Sequence, residues 1–177
     1  MKSLKESLFD SDLVSKDIIM YYPETKNELK NIIKEQLKIQ GPGANLNIID
    51  VSKITDMQSL FWRLNPGNID ISNWNVSKVT DMYSMFYGCK KFNSDLSKWD
   101  VSKVEDMRCM FAGCEKFNSD LSNWNVSNVK TMEFMFDGCE KFNSDLSNWN
   151  VSNVTNMNWM FDGCESLKKI PFWYEKS

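Results

Sequence analysis

The chain has 177 residues, of which 25% are charged and 42% hydrophobic, and a formal net charge of −3. Acidic residues outnumber and sit beside basic ones, which speaks against a nucleic-acid backbone binder with clustered Lys and Arg. No apolar run approaches the roughly 18 residues of a membrane span, and the absence of His removes the usual proton shuttle near neutral pH.

In chain order, Met1 to Lys16 offers only Leu4, Leu8, Phe9, Leu13 and Val14 to bury, and reads as a loosely packed tail or as a short docking peptide that orders on a partner. Its alternating charges differ from the apolar run of a signal peptide, so the expected location is inside the cell or virion unless a leader has been removed. Ile18 to Tyr22 suits an edge strand, which closes a leading segment of residues 1–22. Thr25-x-x-Glu28 is a capping box, and Leu29, Ile32, Ile33 and Leu37 form an apolar stripe before Gly41-Pro42-Gly43. Residues 23–45 are therefore expected to hold a helix that covers the first repeat.

From residue 46 the chain is a tandem array. Val51 recurs as Val76, Val101, Val126 and Val151, and the units run 46–70, 71–95, 96–120, 121–145 and 146–165, with residues 166–177 as a C-terminal cap. In that cap Pro171 takes the place of Leu and Tyr174 that of Trp. Within a unit Trp149 and Val151 alternate with polar residues, which predicts a short strand, and Val154, Met157, Met160 and Phe161 follow at helical spacing. Gly163 would end that helix and Ser152 or Thr155 would start it. Strands pack about 4.8 Å apart and helices about 8–10 Å. The expected fold is therefore an α/β solenoid, a right-handed curved array with short parallel strands on the concave side, short helices on the convex side and an N-terminal helical cap.

Leu146-x-x-Trp149-x-Val151-x-x-Val154 resembles the core of leucine-rich repeats, and W-[ND]-V-S-x-V-x-x-M-x-x-M-F-x-G-C with F-N-S-D-L-S before it is similar to BspA-like bacterial surface-protein repeats over residues 46–165. The resemblance implies a leucine-rich-repeat fold and a cell-surface interaction module without a defined biochemical activity.

Cys89, Cys114, Cys139 and Cys164 recur at the repeat period. Disulfides or a metal stack are one reading; with no His and unfavourable spacing, small buried hydrophobes are the other. Asp70, Asp95, Asp120 and Asp145 could hold a cation, but Asn-Ser-Asp without Gly suits an Asx turn. Neither a catalytic constellation nor a cofactor or metal site emerges, so the expected function is a non-enzymatic protein–protein interaction scaffold. A structural virion or envelope component docked through its N-terminal segment is the alternative.

Two surfaces are candidates for the partner. The helix column Ser59, Ser84, Cys109, Phe134, Trp159 and its neighbour Gln58, Tyr83, Arg108, Glu133, Asn158 drift between copies. They suggest a convex patch of Phe134, Trp159 and Tyr83, with Phe134 and Trp159 about 10 Å apart at helix spacing. Asp50, Asn75, Asp100, Asn125 and Asn150 suggest a concave strip for an extended peptide or a glycan, or else a face that keeps a sheet soluble.

Overall fold

The computed structural model describes residues 20–174. Among them the α/β architecture expected from the repeat pattern is not present. They contain one helix, α1 (Lys26–Gln40), and six isolated parallel bridges, with no sheet and no helical layer.

Each unit is instead a run of tight turns. In the second unit Trp74 N–H donates to Ile71 O at 3.1 Å, Val79 to Val76 at 2.9 Å, Met85 to Met82 at 3.1 Å, Cys89 to Phe86 at 2.9 Å and Phe92 to Cys89 at 2.9 Å. A turn closed between residues i and i+3 returns the chain on itself and points both side chains inward. That is why the apolar residues are three apart. A helix cannot continue through Ser84 and Gly88, at φ 52° and 72°, because a left-handed residue breaks the right-handed path. The same left-handed column runs through Ser59, Cys109, Phe134 and Trp159 at φ 53°, 53°, 55° and 59°.

Successive units stack in register. Met82, Ser84, Phe86 and Gly88 donate to Asp106, Arg108, Met110 and Ala112 of the next unit at 2.8–3.0 Å, and the third and fourth units repeat the pattern. Thr80, Glu105, Lys130 and Thr155 donate the other way at 2.8 Å. Side chains extend this register. Trp74, Trp99, Trp124 and Trp149 each donate Nε1–H to the Leu or Ile carbonyl of the preceding unit at 2.9–3.2 Å. Asn93, Asn118 and Asn143 each donate their backbone N–H to the Asn side chain one unit back at 2.8 Å. Phe61, Phe86, Phe111, Phe136 and Phe161 form a nearly parallel column of rings with centroids 5.3–5.8 Å apart. This spacing, rather than the 8–10 Å of packed helices, sets the distance between rungs.

The two ends differ. At the N-terminal end Thr25 accepts from Glu28 N–H and Glu28 accepts from Glu24 N–H, which starts α1; Gly41, at φ 81°, ends it. Leu29 and Ile33 are fully buried on the first unit. Tyr21 makes an isolated bridge with Ile49 where an edge strand was expected, while residues 1–19, which hold the expected tail, lie outside the described residues. At the C-terminal end Trp173, not Tyr174, takes the tryptophan position. It stacks on Trp149 at 6.3 Å and donates Nε1–H to Leu146 O at 3.0 Å.

Candidate functional site

The tight turns decide which columns face outward. Side chains at the inward ends of the turns are buried, so Leu, Trp, Val, Met and Phe of each inner unit make one continuous core. The left-handed residue of each unit stands between two turns, and Ser59, Ser84 and Cys109 are its small members. With them, Trp62, Tyr83 and Tyr87 line an open groove of about 440 Å³. Trp62 and Tyr87 are 41% and 47% exposed, enough to present their rings to a partner. Arg63 holds its guanidinium 4.2 Å from the Trp62 ring, and Arg108, paired with Asp106, lies 5.0 Å from Tyr83.

Of the three residues of the expected convex patch, two share the left-handed column and the third lines the groove. Phe134 and Trp159 are neighbours on the left-handed column, with Phe134 half-buried and Trp159 60% exposed. Tyr83 lies farther along the stack, in the groove. Trp62 and Tyr87 were missed by the sequence reading. Their column, Trp62, Tyr87, Ala112, Asp137, Asp162, drifts between copies as strongly as the two that were compared.

The expected concave strip has no sheet to project from. Asp50 is half-buried and Asn75, Asp100, Asn125 and Asn150 are exposed, and each accepts the N–H of the Ser two residues on at 2.9–3.2 Å. They are Asx turns. The same geometry holds Asp70, Asp95, Asp120 and Asp145 on Ser72, Ser97, Ser122 and Ser147. Hydrogen bonds from the Ser residues hold the carboxyls of Asp95, Asp120 and Asp145 below their ordinary range.

Asp56, Asp81, Asp106, Thr131 and Asn156 occupy the bridge column. Burial, then repulsion from Asp106 and Asp56, raises the Asp81 carboxyl above its ordinary value. Among the described residues no group of three or more potential ligands is arranged for a metal ion.

The thiols of Cys114, Cys139 and Cys164 each donate to a Phe carbonyl one unit back at 3.1 Å, and Cys89 does so at 3.8 Å. Burial pushes Cys89 and Cys164 up to about 12, so these sulfurs behave as apolar groups near neutral pH. Cys109 is half-buried in the groove, and burial raises its thiol also.

The one helix among the described residues is not long and apolar enough to cross a membrane. No curated protein and no solved structure matches the chain. A family model described as "Mycoplasma protein of unknown function, DUF285" matches residues 27–139 and again 96–175, two overlapping registers of the repeats that together span more than half of the sequence. The chain therefore belongs to the DUF285 family.

Proposed function

We propose that the protein is a non-enzymatic interaction scaffold whose working surface is the aromatic groove of Trp62, Tyr83 and Tyr87. The observation that carries this reading is the grouping of three aromatic side chains over a floor of Ser59, Ser84 and Cys109. Tyr and Trp offer large contact area at small conformational cost and are the favoured anchors of interfaces. A floor of small residues leaves room for a partner's apolar side chain. The resemblance to BspA-like surface repeats supports a binding role in the same sense.

The test is capture of a protein or peptide partner by the full chain and by Trp62→Ser/Tyr87→Ser. Both rings are exposed, so the double variant should melt close to the parent while its affinity falls at least about 30-fold, the equivalent of about 2 kcal/mol. Binding that survives this change refutes the groove. If it is then lost on deleting residues 1–16, the protein docks through its N-terminal segment as a structural component. If it is lost on replacing Asn125 and Asn150 with Lys, the Asx strip is the working face.

A further inference from the structure

Both arginines of the chain lie on rings of the aromatic groove, and every other basic side chain is a lysine. The Arg63 guanidinium is 4.2 Å from the centre of the Trp62 ring and that of Arg108 is 5.0 Å from Tyr83. They differ in what meets their charge. Arg108 binds the Asp106 carboxylate through Nε and Nη2 at 2.6–3.1 Å. Arg63 is exposed and has no ion pair among the described residues.

Arg63 also departs from its column. The four later units place Gly88, Gly113, Gly138 and Gly163 there, at φ 72°, 73°, 68° and 67°, and Arg63 keeps the same left-handed backbone at φ 63°. Free space is not what selects glycine. A Cβ on Gly88 would meet nothing within 4 Å, so it is the positive φ that favours glycine in this column. An arginine there is strained, and strained residues gather at functional sites.

We infer that Arg63 makes the groove selective for a partner peptide in which an acidic residue adjoins the apolar side chain that enters beside Trp62 and Tyr87. The inference rests on the groove being the working surface. A guanidinium stacked by its face on a ring keeps its edge N–H groups free, and that edge matches a carboxylate in two parallel hydrogen bonds. The chain's own nearby carboxylates are already engaged. Asp56 takes Lys26 Nζ at 2.6 Å, Asp106 holds Arg108, and Asp81 accepts the N–H of Tyr83 at 2.8 Å. For the same reason a second copy joined by a two-fold axis through the groove would bring to Arg63 only another Arg63 or carboxylates already matched. A run of anions, such as a nucleic-acid backbone, is also disfavoured. At the other end of the groove burial and then Glu133 raise the Cys109 thiol, so negative charge laid along the whole groove would meet Glu133, whereas a single carboxylate at Arg63 avoids it.

The experiment selects random linear peptides displayed on phage against the full chain, then titrates the best of them, made with blocked ends, against the parent and its variants. Selected sequences should pair an apolar residue with Asp or Glu. Arg63→Gly, which installs the repeat's own residue, should weaken binding at least about tenfold, the effect of losing a charged hydrogen bond, while melting at or above the parent temperature. Changing the peptide's acid to its amide should weaken the parent by the same factor and leave Arg63→Gly unchanged. Peptides without an acid, or equal affinity for parent and Arg63→Gly, overturn the inference; if their binding is lost on Trp62→Ser/Tyr87→Ser, the groove itself stands. Peptides indifferent to that double change, or no binder at all, overturn the groove reading and this one together. An Arg63→Gly variant that melts well below the parent makes Arg63 a prop of the fold and overturns the inference. Phosphoserine that binds more than about tenfold tighter than the acid would assign a phosphate site and overturn it. A gain of that size on deleting residues 1–19 would assign the groove to the chain's own leading segment, and a dimer in sedimentation that Arg63→Gly dissociates would assign it to a second copy; either overturns it equally.

Discussion

Phe111→Ala is the most direct perturbation of the stacked core. Phe111 is fully buried and its ring has five aromatic neighbours: Phe117 at 4.1 Å, Phe86 at 5.5 Å, Phe136 at 5.6 Å, Trp124 at 6.3 Å and Phe92 at 6.5 Å. Truncating a buried Phe typically costs about 3–5 kcal/mol, as lost transfer energy plus the cavity left behind. The upper part of that range is expected here because the rungs are held at fixed spacing by backbone hydrogen bonds and cannot close around the gap. Phe161→Ala is the internal comparison. That ring is half-buried and touches Phe136, Trp173 and Tyr174, with no stacked Phe ring on its outer side among the described residues, so its loss should cost about half as much on the same area argument. Urea unfolding of both variants gives the two values. A double-mutant cycle of Phe111 with Phe136 should show coupling of about 0.5–1.5 kcal/mol, whereas Phe86 with Phe161, which share no ring partner, should be additive within about 0.5 kcal/mol. Equal losses for Phe111→Ala and Phe161→Ala, or a Phe111→Ala loss below about 1 kcal/mol, would refute the stacked-ring core.

Asp81→Asn should raise stability at neutral pH, since Asn156 and Thr131 already serve the same column without a charge. The folded-state value of Asp81 is raised above the ordinary 3.8. Its penalty is therefore absent below the unfolded value and appears as pH rises through the folded one. The gain from Asn should shrink to nothing in acid, and thermal melts across pH 3–7 that show a constant difference would contradict the assignment. Gly138→Ala should cost about 1–2 kcal/mol from its left-handed φ of 68° alone, because an added Cβ finds ordinary contact with Gly113 Cα at 3.6 Å. Gly163→Ala should cost more, since its Cβ would meet Gly138 Cα at 3.1 Å; denaturation of the pair orders them, and the reverse order would be wrong for this geometry. Native alkylation followed by mass mapping should label Cys109 first and Cys164 next, leaving Cys89, Cys114 and Cys139 untouched; equal labelling of all five would exclude the buried thiol column.

The period and the inward residues were readable because a tandem array repeats every constraint that each unit must satisfy. The capping box at Thr25 and Glu28 was readable too, since its chemistry is local. The secondary structure was not. Apolar residues three apart satisfy a helix face and a chain of i to i+3 turns equally well, and Met82, Met85, Phe86 and Cys89 carry the same letters in either case. The deciding feature is the left-handed backbone at Ser84, Cys109, Phe134 and Trp159. Neither Ser, Cys nor an aromatic is among the residues that favour positive φ, and a bulky aromatic there is a conformation that local preference argues against. It is held there by the inter-unit bond of its own N–H, as Phe134 is by Asn158 O at 3.0 Å. A tertiary contact thus overrode a local rule.

The same error moved the surfaces. Once a helix was assumed, Phe134 and Trp159 had to project from its outer face and Asn75, Asp100 and Asn125 from a facing sheet, and the tryptophan and tyrosine at 62 and 87 had no reason to meet. In a turn-built unit the residue after the left-handed position is buried, as Leu60 and Met85 are, and the outer rim comes three residues after it, at Trp62 and Tyr87. The Asx residues pin turns instead of lining a strand. Column drift, free of any assumed secondary structure, was the sounder guide. It picks out the column Trp62, Tyr87, Ala112, Asp137 and Asp162, aromatic at one end of the stack and acidic at the other with Ala112 buried between. That gradient gives the two ends of the stack different surface chemistry, aromatic rings at one and carboxylates at the other.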